Sequence, residues 1–358
     1  MKLIFICMIP AAGLSFLVHL ILHEIGHYLG GLCTGWRLIN LQIYHYTLVK
    51  EKNKLRYRYL PSKNYQCIMY PKSINAGATV YTAGGYWMNL LLAVIGLLLM
   101  LIYIMNVVVW TFSWCLFGIG ITFYLFNGLP NTRRVCNDKA CNLLLKESEK
   151  TRACHNSQLL IARYLNEGST YQGIGEKLIC ISGGKADNDI LAYQAVLEYY
   201  FYLEANNFDM MRKSLDNIAI GALISKGVKD IICLEKLYSE LMLRFEGMIT
   251  EPIRTENYGL DIRQYIKEHE TKGDVHSVRV KAVYDTYESY MMGTYHEALL
   301  LLNTAIIEVK AMNYLYEGER AFCLCQLYKI RDLCMRNICI KTSITNNSKS
   351  NLVKIYKI

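Results

Sequence analysis

From Ser73 to Thr132 the chain carries no Asp, Glu, Lys or Arg, and residues 3–22 carry none either. The hydrocarbon core of a bilayer, roughly 30 Å thick, takes about 20 helical residues, so the longer stretch fits two spans and the shorter one. We expect membrane helices over residues about 3–32, 77–105 and 107–129, with Asn106 at a tight luminal or external turn. A cleaved signal peptide is the rival for the first span, because Met1-Lys2 is a short basic start. The apolar run continues beyond residue 22 without a small-x-small cleavage site, which favours a retained span.

Near residue 140 the composition changes. Lys, Glu, Asp and Arg then recur every few residues, in the manner of a soluble helical protein, and 358 residues suffice for two domains. The expected fold class is mainly α. A polytopic membrane helical core of about three spans, with a small β insertion, precedes a soluble α-helical repeat-like domain. The expected boundaries are 1–150 for the membrane part, 151–340 for the helical domain and 341–358 for a tail.

A formal net charge of +9 invites a nucleic-acid reading, but the placement of charge points to a membrane. Arg37, Lys50, Lys52, Lys54, Arg56, Arg58, Lys63 and Lys72 face only Glu51, and Arg133, Arg134 and Lys139 follow the last span. By the positive-inside rule both regions are cytoplasmic, and three spans put them on the same side. The expectation is a multi-pass membrane protein with its C-terminal domain in the cytoplasm and no nucleic-acid partner. Its richness in Lys, Ile, Asn and Tyr points to a bacterial cell membrane and an AT-rich genome.

The 13 cysteines form no regular framework, and a cytosolic domain keeps its thiols reduced. Cys323-Leu324-Cys325 is read as two buried thiols on a helix. No second Cys or His pair with zinc spacing accompanies it.

His23-Glu24-Ile25-Gly26-His27 has the H-E-x-x-H pattern. On a helix, residues i and i+4 share a face, so both imidazoles reach one Zn²⁺ while Glu24 stands beside the open metal position. Zinc on three protein ligands lowers the pKa of a water to about 7, and Glu24 is placed to take its proton. Ionisable residues at the end of a membrane span are costly unless paired, metal-bound or facing a wet cavity. His19 lies one turn before His23 and about 12 Å along the axis from His27. It is therefore read as a packed or helix-bonding residue, with cavity lining or support of the metal ligands from behind as the alternatives, and not as a ligand of the same ion.

Two further patterns follow in order: Gly85-Tyr86-Trp87-Met88-Asn89, continued by Ala93, and Asn137-Asp138-Lys139 after Asn127-Gly128-Leu129-Pro130. Over residues about 11–145 the set resembles the site-2 proteases, a family of intramembrane zinc metalloproteases. The resemblance implies Asp138 as third metal ligand beside His23 and His27, and Asn89 with Gly85 as substrate-positioning residues. Lys139 stands where that family usually has glycine, and the stretch from Asn127 to Asp138 is a few residues longer than its common form. Asp138 is also the first carboxylate after the last span, with Glu147 and Glu149 as alternatives. Gly85, Asn89 and Ala93 have a second reading, a small-residue stripe along which another helix approaches, with Asn89 bonding that helix.

Leu38–Val49 and Leu55–Tyr70 are rich in Tyr, Ile, Leu and Val, and Glu51-Lys52-Asn53-Lys54 separates them like a hairpin turn. A small sheet over about 36–72 is expected, either to cap the core or to hold a substrate in extended form by strand addition. Farther on, Ala282–Ile307 around Met292-Gly293-Thr294-Tyr295-His296-Glu297-Ala298, and more weakly Leu191–Ile218 around Asn206-Asn207-Phe208-Asp209, look like tetratricopeptide helix pairs. Such stacks bind peptides or proteins, or simply pack.

These readings converge on hydrolysis of peptide bonds in membrane-embedded peptides or single-span proteins near the cytoplasmic face, with Zn²⁺ as cofactor. The alternative is a catalytically inactive membrane scaffold acting through its helical C-terminal domain, which Lys139 favours. A transporter or channel needs more spans and leaves the zinc spacing unexplained.

Overall fold

The computed structural model describes every residue except 1, 52–53, 132–135, 220–223, 252, 254–261, 270–273 and 356–358. Helix α1 (Lys2–Cys33) leads into an antiparallel hairpin of β1 (Arg37–Glu51) and β2 (Lys54–Tyr70). Helices α2 (Thr79–Ile102) and α3 (Val107–Gly128) then complete a bundle in which α1, α2 and α3 each pack on the other two. Segments Ile6–Cys33, Thr79–Ile102 and Val107–Gly128 are long and apolar enough to cross a membrane.

The bundle is polar inside and apolar outside, the reverse of a water-soluble protein. Ser15, His19, Glu24, His27, Asn89, Thr111 and Ser113 are buried, whereas Leu14, Leu17, Trp87, Leu91, Leu98, Leu101, Trp114 and Phe126 are exposed. Exposed apolar surface of this extent is what lipid covers, and ionisable side chains in such helices turn inward. The second helix is shorter at both ends than the expected 77–105. Its C-terminus closes with Tyr103 N–H on Leu99 O, and Asn106 starts α3 by accepting from Val109 N–H at 3.1 Å.

The hairpin ladder runs from Arg37 opposite Tyr70 to Glu51 opposite Lys54, with register shifts at Leu38/Asn40 and Tyr44/Tyr46. Lys52 and Asn53 of the expected turn lie outside the described residues. The hairpin buries Ile39, Val49, Leu60, Cys67 and Met69 and exposes Tyr46, Leu55, Tyr57 and Tyr59.

After α3 come α4 (Asp138–Glu147), α5 (Glu149–Asn166), the short α6 (Tyr171–Ile174) and α7 (Glu176–Ile179), then α8 (Asp189–Glu204) and α9 (Phe208–Asp216). Helices α10 (Lys226–Phe245), α11 (Ile262–His269), α12 (Val275–Met291), α13 (Tyr295–Ala311) and α14 (Glu317–Ile355) complete the chain. The last runs on through most of the segment expected as a tail. Two helix pairs, α8 with α9 and α12 with α13, are closed by the same three-residue turn. Asn206 and Gly293 take left-handed φ values of 58° and 80°. Asn207 N–H then reaches Tyr202 O and Thr294 N–H reaches Ser289 O, both at 2.9 Å, the closure of a Schellman motif.

One buried apolar cluster runs from Trp36, Met69 and Tyr81 through Leu145, Cys154 and Ile161 to Leu197, Leu241, Val283 and Leu327. It spans the expected boundary at residue 150. Helix α5 also clasps the membrane part directly, for Asn156 Nδ2 donates to Ile74 O and Ala76 O, both at 2.8 Å, just before α2. At the centre of the C-terminal helices Arg279 donates to both carboxylate oxygens of Glu235 at 2.5 and 2.6 Å, and both residues are buried. None of the 13 cysteines is disulfide-bonded. Cys323 is buried as expected but Cys325 is exposed, because helical residues two apart point to opposite sides.

Candidate metal centre

The approach of α1 to α2 is set by glycine. A Cβ on Gly26 would strike Gly84 O and one on Gly84 would strike Gly26 O, so the two backbones touch at this crossing. His23 and His27, one turn apart on α1, therefore project onto the backbone of α2. Gly85 lies beneath them. A Cβ there would sit 2.5 Å from His27 Nε2 and 2.6 Å from His23 Nε2, inside the space between the two nitrogens and any ion they share.

Asp138, the first residue of α4, closes the group from the far end of the bundle sequence. Its Oδ2 is 3.2 Å from His23 Nε2 and 3.4 Å from His27 Nε2, and the two Nε2 atoms are 3.3 Å apart. For bonds of about 2.0–2.1 Å, tetrahedral angles place ligand atoms about 3.3 Å apart. Three donor atoms at these separations could occupy one face of a coordination tetrahedron. They are the His/Cys/Asp/Glu group among the described residues that could hold a metal ion.

Two observations test the fit. Asp138 Oδ2 is buried, and what meets it among the described residues is the pair of imidazole nitrogens at 3.2 and 3.4 Å, an arrangement that costs free energy unless a cation, metal or imidazolium, balances the carboxylate. Burial works to raise the Asp138 carboxyl, but contact with the His23 and His27 imidazoles outweighs it and holds the group well below the usual carboxylate range. Asp138 is therefore an anion facing two imidazoles.

The orientation of each donor has a local cause. His27 Nδ1 lies 2.8 Å from Tyr81 O, so it donates there and leaves the Nε2 lone pair facing the group. Tyr81 is itself held by its hydroxyl, which donates to Cys67 O at 2.7 Å on β2. The Asn89 side-chain amide lies 2.9 Å from His23 Nδ1 and 3.1 Å from His19 Nδ1, with no exposed surface. Asn137 caps α4 by accepting from Ala140 N–H at 3.0 Å, while its Nδ2 donates to Phe126 O and Leu129 O at 2.8 and 2.7 Å. This one side chain fastens the start of α4 to the end of α3. Asn142 fastens the same helix to α2, donating to Thr79 O at 2.9 Å.

Glu24 is buried beside the two imidazoles on the same helix. The Lys139 amine lies 5.8 Å from the centre of the Tyr86 ring. Glu147 is exposed at the end of α4, and Glu149 pairs with Arg152 at 3.4 Å, so neither alternative carboxylate joins the histidines. Gly85 and Asn89 do line the same face of α2 as the metal group. The orienting roles of Tyr81, Asn137 and Asn142 were not anticipated. Asn137 was legible as a helix cap directly before Asp138, and Gly26-x-x-x-Gly30 as a close-approach pattern. The Tyr81 carbonyl carries no residue-type signal. Comparison of the chain with protein-family models, curated proteins and solved structures gives no match.

Proposed function

We propose that this chain is an intramembrane zinc metalloprotease that hydrolyses peptide bonds of membrane-embedded peptides or single-span proteins near the cytoplasmic face. The observation that carries the reading is the triangle of His23 Nε2, His27 Nε2 and Asp138 Oδ2, with edges of 3.2 to 3.4 Å. Two nitrogens and one carboxylate oxygen with an open fourth position are the donor set of catalytic zinc. The resemblance to site-2 proteases rests on this group and on the order of the three motifs.

When bound, the ion supplies Lewis acidity, polarising a peptide carbonyl and making a neighbouring water acidic. Glu24, one residue from His23 and screened from bulk water, accepts the proton of that water and returns it to the departing amine. The fixed imidazoles and Asp138 keep the site in one geometry throughout. The hairpin edge next to α1 suits an unwound substrate segment held by strand addition. The helix pairs α8/α9 and α12/α13, closed by matching turns, support a tetratricopeptide-like domain for a peptide or protein partner. The basic residues around the hairpin favour a cytoplasmic position for it and for the helical domain.

The inactive scaffold draws its support from Lys139, but its amine lies 5.8 Å from the centre of the Tyr86 ring and is not one of the atoms of the triangle. The deciding experiment is metal analysis of the detergent-purified protein together with cleavage of membrane peptides by wild type and Glu24→Gln. Stoichiometric zinc with cleavage that depends on Glu24 supports the protease, and zinc without any cleavage supports the scaffold.

A further inference from the structure

His19 on α1 is fully buried where it meets both α2 and α3. Its Nε2 lies 3.0 Å from Leu116 O on α3 and its Nδ1 contacts the Asn89 amide on α2. Gly120 makes room for the ring, since a Cβ there would stand 2.7 Å from His19 Cε1. Packing of this closeness needs a reason, and hydrogen-bond counting supplies one.

As drawn, Asn89 Oδ1 faces His19 Nδ1 and Nδ2 faces His23 Nδ1. The two ends of an amide are nearly isosteric, so their partners decide which is which. In that orientation His19 would donate from both nitrogens, to Asn89 and to Leu116 O, and would carry a buried charge with no carboxylate among these partners. His23 would accept at Nδ1 and so carry its proton on Nε2, aimed at His27 and Asp138. Turning the amide over removes both conflicts. His19 donates from Nε2 to Leu116 O and accepts at Nδ1 from Asn89 Nδ2. Asn89 Oδ1 then accepts from His23 Nδ1–H, leaving the Nε2 lone pair for a metal.

We infer that His19, acting through Asn89, is a positioning residue that fixes the metal-binding tautomer of His23. The line from Leu116 O through His19 and Asn89 to His23 does for one imidazole what Tyr81 O does directly for the other. The inference rests on the proposed metal centre and adds a residue to it that contacts neither metal nor substrate. It also gives Asn89 a task that needs both ends of its amide.

The test is zinc affinity by chelator competition on the full-length purified protein, with the visible spectrum of the cobalt form as a second readout. Variants that insert and elute as wild type are compared. Asn89→Leu is expected to weaken metal binding by about 10- to 100-fold, as loss of a ligand's orienting partner does. Asn89→Asp keeps an acceptor toward His23 while losing the donor toward His19, and should lose clearly less affinity than Asn89→Leu. His19→Phe keeps the ring volume but removes both hydrogen bonds, and should weaken zinc and disturb the cobalt spectrum. His19→Gln, which can donate to Leu116 O and accept from Asn89, should restore both. Wild-type affinity in His19→Phe overturns the inference. So does Asn89→Asp failing as badly as Asn89→Leu, because the nitrogen would then be the end that His23 needs. A wild-type protein that holds no zinc overturns the functional reading itself, and the inference with it.

Discussion

Asp138 Oδ2 lies 3.2 Å from His23 Nε2, although two of the three long helices and the whole hairpin intervene between them in the chain. Asp138→Ala leaves two imidazoles, too few to hold zinc well. We expect bound zinc to fall to a small fraction of one equivalent, while Glu147→Ala and Glu149→Ala keep it. Metal analysis of the three purified variants checks this, and full occupancy in Asp138→Ala would remove the residue from the ligand set.

Glu24 stands next to the two imidazoles without belonging to the group that could hold a metal ion. Glu24→Gln is expected to keep zinc and lose activity by at least the 10²- to 10⁴-fold typical of a positioned base. His23→Ala and His27→Ala should lose both. Parallel metal and cleavage assays separate these outcomes, and chelator treatment of the wild type should reproduce the histidine variants until zinc is restored.

Gly85→Ala places a methyl group 2.5 Å from His27 Nε2. Zinc binding should be abolished although no ligand is altered. Gly77→Ala, where a Cβ meets nothing within 4 Å, is the matched control and should retain full zinc. Equal occupancy in the two variants would contradict the geometry of the α1–α2 crossing.

The buried pair of Arg279 and Glu235 gives a prediction about stability alone. Arg279→Leu leaves Glu235 with only the Tyr200 hydroxyl at 2.8 Å and the His276 imidazole at 3.8 Å in place of its bidentate partner, and should destabilise the helical domain by about 3–5 kcal/mol. Replacing both residues with apolar ones should recover much of that loss. Thermal unfolding of the single and double variants measures the difference, and additivity between the two sites would show that they do not interact.

The three helices long and apolar enough to cross a membrane were legible because length and absence of charge are properties of local sequence. Hence the three expected spans and the observed helices differ by only a few residues at their ends. The hairpin was legible for a similar reason, since β-branched and aromatic runs on either side of a polar turn pair locally. Cys325 was misjudged because the periodicity of one helix was not followed through its own pair of cysteines.

The sequence by itself determined which residues were chemically capable of holding a metal. His23 and His27 share a helical face at any tertiary arrangement, because 3.6 residues per turn places i and i+4 together. Which carboxylate would join them was a matter of long-range packing. Asp138, Glu147 and Glu149 are alike in residue chemistry, and only the Asn137 clamp on α3 and the Asn142 contact with α2 bring one of them to the imidazoles. The proton positions on His23 and His27 were likewise decided by Asn89 and by the Tyr81 carbonyl. A tautomer depends on what stands at the other nitrogen, and that is known only when the helices are packed.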